Sequence, residues 1–226
     1  MIRGESMGKE INLLDLYPKS KRPIDERGRL ITEEHRQVAR RFGREYFDGD
    51  RLTGYGGYSY HPRFWQATVR RFRDHYRLPE DARVLDVGCA KGFMLHEFLQ
   101  LMPRLNVAGI DVSSYAIENA VESMRPFLKV GDARELPFET GSFDLVVSIN
   151  TVHNLPIEDC RTSLREIQRV TRGSAFVTMD AWRNEDERQR LLKWNLTALT
   201  YMHVDDWKEL FRGVGYQGDY YWFIAE

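Results

Sequence analysis

The chain has 226 residues and a net charge of −1, with 42% hydrophobic, 12% aromatic and 30% charged residues. That length makes one domain of ordinary size, and the apolar content supports a packed core and argues against disorder. The near-zero charge leaves no global basic field for nucleic acid or an acidic membrane, and Cys89 and Cys160 offer neither a disulfide framework nor metal-site spacing.

No apolar run approaches the ~20 residues of a membrane span, and the N-terminus lacks the apolar stretch of a signal peptide, so a reducing cytoplasm is expected. Residues 1–9 read as a loose end, with Met7 a second candidate start. Residues 12–29 are polar, hold Pro18 and Pro23, and read as an extended arm. Thr32 suits a helix N-cap and is followed by Glu33 and Glu34 in the first turn. The predicted helix runs to about Phe47, with Val38, Phe42 and Tyr46 on one side. Residues 54–65 are dense in glycine and aromatic rings. They read either as a loop plugging the core edge or as a lid that closes over a ligand. A second helix is predicted over 62–76.

Residues 84–98 change character twice. Val84, Leu85 and Val87 suit a buried parallel strand, Gly88 and Gly92 bracket a turn, and Phe93, Leu95, Phe98, Leu99 and Met102 fit one helical face. A turn without side chains lets a ligand approach the backbone, and the amides opening the helix suit a carboxylate or phosphate. Strands are then expected at 107–111, 127–132, 143–149 and 174–179, with helices at 115–124 (capped by Ser113 or Ser114) and 157–170. A last helix is capped by Asp205, and 220–224 closes the chain as an antiparallel edge strand. The pattern implies an α/β fold, a doubly wound, Rossmann-like, mostly parallel sheet with an N-terminal helical extension. Residues 1–78 form the arm, helices and lid, and 79–226 the cofactor-binding core, as one structural unit.

Ligands in such sheets bind beyond the carboxyl ends of the strands. Asp111, Asp132 and Asn150 are expected there, and an unpaired buried carboxylate is too costly to be mere core. The alternative for Asp111 and Asp132 is a helix N-cap. A dinucleotide site prefers G-x-G-x-x-G without a preceding acid. Here the order is Asp86-x-Gly88-x-x-x-Gly92, and Asp86 suits an ammonium or sulfonium better than a pyrophosphate. Lys91 is expected to point to solvent.

Residues 84–92, Gly109-Ile110-Asp111-Val112-Ser113, Gly131-Asp132-Ala133 with Leu136-Pro137-Phe138, and Phe143-Asp144-Leu145-Val146 with Asn150-Thr151-Val152-His153 resemble, in order, the four motifs of class I S-adenosylmethionine-dependent methyltransferases. The third is similar to the small-molecule branch. Ala90 stands where a glycine is commoner, and Lys91 is unusual there. The resemblance implies that the amides of Gly88, Cys89 and Ala90, with Gly92 closing the turn, border the methionyl part of S-adenosylmethionine. It implies that Asp86 helps bind the amino group, Asp111 accepts both ribose hydroxyls, and Val112 packs on the adenine. Asp132 and the Ala133 amide would read the adenine edge, and Asn150 would contact the methionyl chain. Tyr46, Tyr55 and Tyr58 lie outside the motifs; Tyr58 is assigned to closing the pocket.

Such a transfer is an in-line displacement with a neutral thioether leaving, so no metal is required. The enzyme aligns the acceptor and excludes water; an oxygen acceptor must also lose its proton. His153 is the candidate base, with a packing histidine as the alternative. The Asn/Asp-Pro-Pro-aromatic motif of amide and adenine N-methyltransferases is absent. Trp182, Arg183, Trp194, Tyr201 and His203 are candidate pocket residues, and Arg63 and Arg183 candidate contacts to an anionic acceptor. The expected activity is methylation of a small-molecule hydroxyl, on a sugar or specialised metabolite, without nucleic acid or membrane partners and compatible with a homodimer. The alternatives are N-methylation, an RNA or protein acceptor, or a non-catalytic subunit that binds the cofactor.

Overall fold

Three short helices, α1 Ile24–Leu30, α2 Glu33–Ala39 and α3 Arg44–Asp48, occupy the N-terminal region, where the sequence pattern predicts an arm and one longer helix. The computed structural model describes residues 7–18, 23–56 and 58–226. The expectations for residues 1–6, for 19–22 of the arm and for Gly57 of the lid lie outside the described residues. Thr32 caps α2 by accepting from the His35 N–H, and the His35 side chain returns the bond. The helix breaks before α3 because Phe42 turns left-handed, with φ 49°, and Gly43 then starts α3 in an extended conformation. α4, Pro62–Tyr76, lies where expected and buries Thr68, Val69 and Phe72.

The sheet follows as β1 Arg83–Val87, α5 Phe93–Leu101, β2 Asn106–Asp111, α6 Ser114–Glu118, β3 Leu128–Val130, β4 Phe143–Ile149, α7 Ile157–Val170 and β5 Thr171–Trp182. It ends with α8 Glu185–Trp194, β6 Met202–His203, α9 Val204–Val214 and β7 Asp219–Phe223. The helix predicted over 115–124 is shorter; a 3₁₀ turn containing Pro126 leads into β3 instead. The strand order is β3-β2-β1-β4-β5-β6, with β7 also paired to β5. α7 and α9 pack one face through Leu164, Ile167, Trp207 and Phe211. α4 and α5 pack the other through Val69, Phe72, Leu95 and Phe98.

The closing strand is parallel to β5, not antiparallel: Phe176 pairs with Asp219 and Asp180 with Phe223. β6 meets β5 at its far end, at Ala181 and Trp182. α9 then carries the chain back along β5 as far as Phe176, and such a crossover returns a strand in the same direction. The outer side of β7 is covered in turn, since the Ile11 N–H donates to the Tyr220 carbonyl at 2.9 Å, which occupies an otherwise open sheet edge.

Candidate functional site

β1 and β2 end side by side, and their backbones build the cradle. The Gly88 and Cys89 N–H groups both donate to the Ile110 carbonyl, at 2.7 and 3.1 Å. Gly88 has φ 86°, and a Cβ there would lie 2.0 Å from Thr151 Oγ1, so only glycine fits. Ala90 is left-handed, with φ 48°. Its N–H donates to Asp111 Oδ2 at 2.7 Å, and the Ser113 N–H donates to Oδ1 at 2.8 Å. Ser113, not Asp111, is the N-cap of α6. Gly92 starts α5 behind the turn, its open side against Leu128 and Met124, and Cys89 is buried under Gly109.

The acids are short of counter-charge. Asp86 is buried, with no hydrogen bond or ion pair to its carboxyl among the described residues; burial and then the nearby Asp111 push its pKa up to about 8. Burial also raises Asp111, against the two amides that favour its charged form. Asp132 differs: Arg134 holds it through two guanidinium nitrogens at 2.6–3.0 Å and, despite partial burial, keeps it below the usual carboxylate range. Val112 is 60% exposed. Asn150 is left-handed; its N–H donates to Thr178 Oγ1, whose hydroxyl donates back to Asn150 Oδ1, both at 2.8 Å.

The N-terminal helices cover this end of the sheet. Tyr58 donates its hydroxyl to that of Tyr46 at 2.7 Å. Burial, with the charge of Asp111 adding to it, raises the pKa of both phenols. Lys91 does not point to solvent. It is 7% exposed and its ammonium donates to both Asp48 oxygens, at 2.7 and 2.8 Å; the Tyr115 hydroxyl adds a 2.7 Å bond to Asp48. These bonds outweigh partial burial and hold Asp48 below its ordinary pKa. Further along, the Arg27 guanidinium lies against the Tyr55 and Trp194 rings and donates to the Arg51 and Trp194 carbonyls.

His153 is buried at the mouth of β4, in a 3₁₀ turn. Its Nδ1 accepts the Asp180 N–H at 2.9 Å, which puts the ring proton of the neutral form on Nε2, 3.6 Å from Asp180 Oδ1. Burial lowers the His153 pKa to about 3, so the ring is neutral. In this tautomer both ring nitrogens are engaged or protonated, and no lone pair is left for a substrate proton.

A cleft of about 990 Å³ joins these parts. Asp86, Gly88, Cys89, Ala90, Asp111, Val112, Asp132, Ala133, Asn150, Tyr58 and His153 all line it; Gly92 stays behind the turn. Of the other pocket candidates, Arg63, Arg183 and Trp194 line the cleft, whereas Trp182, Tyr201 and His203 do not. Arg183 is already paired with Glu10 at 3.0 Å. Asp180 and Thr178 line the cleft as well. Asp180 follows the same pattern as Asp111, an acid near the carboxyl end of a strand, because β5 runs past the predicted 174–179 to Trp182. Nothing local in the sequence marks the pairing of Lys91 with Asp48.

Residues 84–174 match the family described as "Methyltransferase domain". A protein of Encephalitozoon cuniculi designated a methyltransferase is 31% identical over 159 residues, 63% of this chain and 71% of that protein. A tRNA (carboxymethyluridine(34)-5-O)-methyltransferase of Arabidopsis thaliana is 33% identical over 132 residues, 58% of this chain and 31% of that protein. A solved structure of a Haloferax volcanii protein designated a methyltransferase, in complex with a methyltransferase activator, superposes with TM-score 0.54 at 18% identity, covering 87% of this chain and 77% of that one. It is alike in fold. The chain spans 31–45% of the length of the first curated relatives it matches, which are named for tRNA, quinol and acyl-carrier-protein acceptors.

Proposed function

The chain belongs to the class I S-adenosylmethionine-dependent methyltransferases, and from that premise we propose that it methylates a hydroxyl of a small molecule. The residues of the cleft fit the cofactor. Asp86 is a buried carboxyl without a partner among the described residues, and a cationic amino group supplies one. Asp111, held at both oxygens by amides, keeps a second acceptor position on each for the ribose hydroxyls. The exposed Val112 offers an apolar surface to the adenine, and Asp132 and the Ala133 amide meet its polar edge. The glycine turn and Asn150 border the methionyl chain, and Tyr58 closes the pocket. When bound, the cofactor supplies an electrophilic methyl on a sulfonium.

The protein's part is then to orient the acceptor, exclude water and take a proton. The His153 tautomer favours Asp180 as the proton acceptor. Nε2–H of His153 faces the Asp180 carboxylate, so His153 serves by positioning that group. Both line the cleft with Thr178 and Asn150, beside the aromatic cover of Tyr55 and Trp194.

The aromatic cover over the strand ends is the observation that favours a small acceptor: Tyr46, Phe47, Tyr55, Tyr58 and Trp194 line the cleft, which limits what can enter. The cytoplasmic assignment belongs to the same reading. Both cysteines are buried free thiols, and no helix among the described residues is long and apolar enough to cross a membrane.

Two observations favour an RNA acceptor instead. The Arabidopsis relative is named for tRNA, and Arg40, Arg51 and Arg63 line the cleft. Incubation with methyl-labelled S-adenosylmethionine and either hydroxylated metabolites or total tRNA separates the two. Label in a small product is the expected result; label confined to tRNA overturns the small-molecule reading.

A further inference from the structure

We propose that Lys91, Asp48 and Tyr115 form a latch through which the N-terminal helices hold the cofactor, which makes Lys91 a positioning residue for cofactor binding. The inference rests on the cofactor reading above but concerns the bond that Lys91, a residue of the first motif, makes to Asp48 of α3, which lies outside the motifs.

The geometry starts in the cradle. Ala90 clamps Asp111 with its N–H, and the next residue sends its side chain away from the turn to the end of α3. There Lys91 meets both oxygens of Asp48, and Tyr115 of α6 holds the same carboxylate. α3 also carries Tyr46 and Phe47, which line the cleft. Tyr46 in turn holds Tyr58 through the paired hydroxyls. A second anchor lies alongside: the Ser113 hydroxyl donates to the Phe42 carbonyl at 2.5 Å, and the same residue's N–H holds Asp111. One anchor of the helices therefore springs from Lys91, next to the Ala90 clamp on Asp111, and the other from Ser113, which is itself the second clamp. Tyr46, Phe47, Phe42, Tyr55, Tyr58, Ala90 and Tyr115 pack as one apolar cluster, separate from the clusters on either sheet face.

Lys91 ties this cluster to the cradle by charge. A buried ammonium needs its partner; without Asp48 it regains water only if α3 lifts. Lifting α3 takes Tyr46 and Tyr58 away from Asp111. The docked state is then a fraction of the population, and a ligand that needs it binds more weakly by that fraction. A bound cofactor in turn favours the docked state.

The test uses S-adenosylhomocysteine, with titration calorimetry for affinity and hydrogen exchange over residues 44–56. If the wild type gives no binding, the cofactor reading has failed, whatever the latch does. If it binds, Lys91→Met should weaken binding by about tenfold and speed exchange in α3, while the amides of β1 and β4 keep their protection. Lys91→Arg should restore most of the affinity. Loss of Asp48 as well, in Lys91→Met/Asp48→Asn, should add little to the single change, as partners in one interaction do. Tyr115→Phe, a milder change that leaves the ion pair, should cost about two- to threefold. Wild-type affinity in Lys91→Met, weakened affinity without faster exchange in α3, or additive losses in the double variant would each overturn the proposal.

Discussion

The cradle at the ends of β1 and β2 and the N-terminal cover meet at Asp111, and they are built in opposite ways. The cradle is held by backbone: amides of Gly88, Cys89, Ala90 and Ser113 make its bonds, over at most 22 residues of sequence, the Gly88–Ile110 separation. The cover is held by side chains across long separations, Lys91 to Asp48 and Arg27 to Trp194. A backbone-built site tolerates exchange of many side chains but not an added Cβ where the chain turns left. A side-chain-built cover can loosen at one residue and leave the sheet intact.

Gly88→Ala should be the most damaging change to the cradle. Left-handed strain and the contact with Thr151 together predict a loss of about 2–4 kcal/mol in urea unfolding. A loss too small to measure would mean that the turn is less constrained than its bonds imply. Asp111→Ala should leave the fold in place and lower S-adenosylhomocysteine affinity by about 100-fold, two charge-assisted hydrogen bonds being removed. Unchanged affinity in calorimetry refutes the ribose role. In the cover, Arg27→Met leaves the Trp194, Arg51 and Gly54 carbonyls without their donor and should cost about 2 kcal/mol, seen as faster hydrogen exchange confined to 24–30 and 51–56. Exchange that quickens equally in β4 would erase the contrast between the two regions.

A further effect is one of pH. The Asp86 carboxyl titrates at about 8 in the free protein, and a cationic amino group beside it lowers that value. Binding therefore expels a proton at pH values under 8. Affinity should rise with pH from 6 to 8, by at most about tenfold per unit, and level off above. Calorimetry at pH 7 in buffers of different ionisation enthalpy checks the proton release; no buffer dependence refutes it. For folding the sign is the reverse of an ordinary carboxylate. The unfolded chain loses this proton first, so Asp86 makes the free protein less stable as pH rises from about 4 to about 8.

Much of the cradle was legible in the chain itself. Val84, Leu85 and Val87 form an apolar run around Asp86, Gly88 follows at once, and Asp111 and Asp132 sit one strand apart each. Parallel strands put their carboxyl ends on one edge, so a pattern along the chain becomes a cluster in space. The same rule stopped one residue short at β5, whose predicted end at 179 left out Asp180. The helix predicted over 32–47 ends early because Phe42 turns left-handed, and α1 lies in a polar, proline-bearing stretch that takes helical form by packing on α8 and by the Arg27 bonds.

By itself, then, the sequence determined the alternating sheet, the glycine turn and the acids at its rim, because backbone hydrogen bonding and side-chain period are local properties. Tertiary structure alone decided the rest. It gave β7 its parallel direction, because α9 returns the chain from the Trp182 end of β5 to a point opposite Phe176. It placed the His153 proton on Nε2, because the Asp180 amide takes the other nitrogen. It turned Lys91 inward, because a carboxylate 43 residues earlier in the chain arrives there on α3.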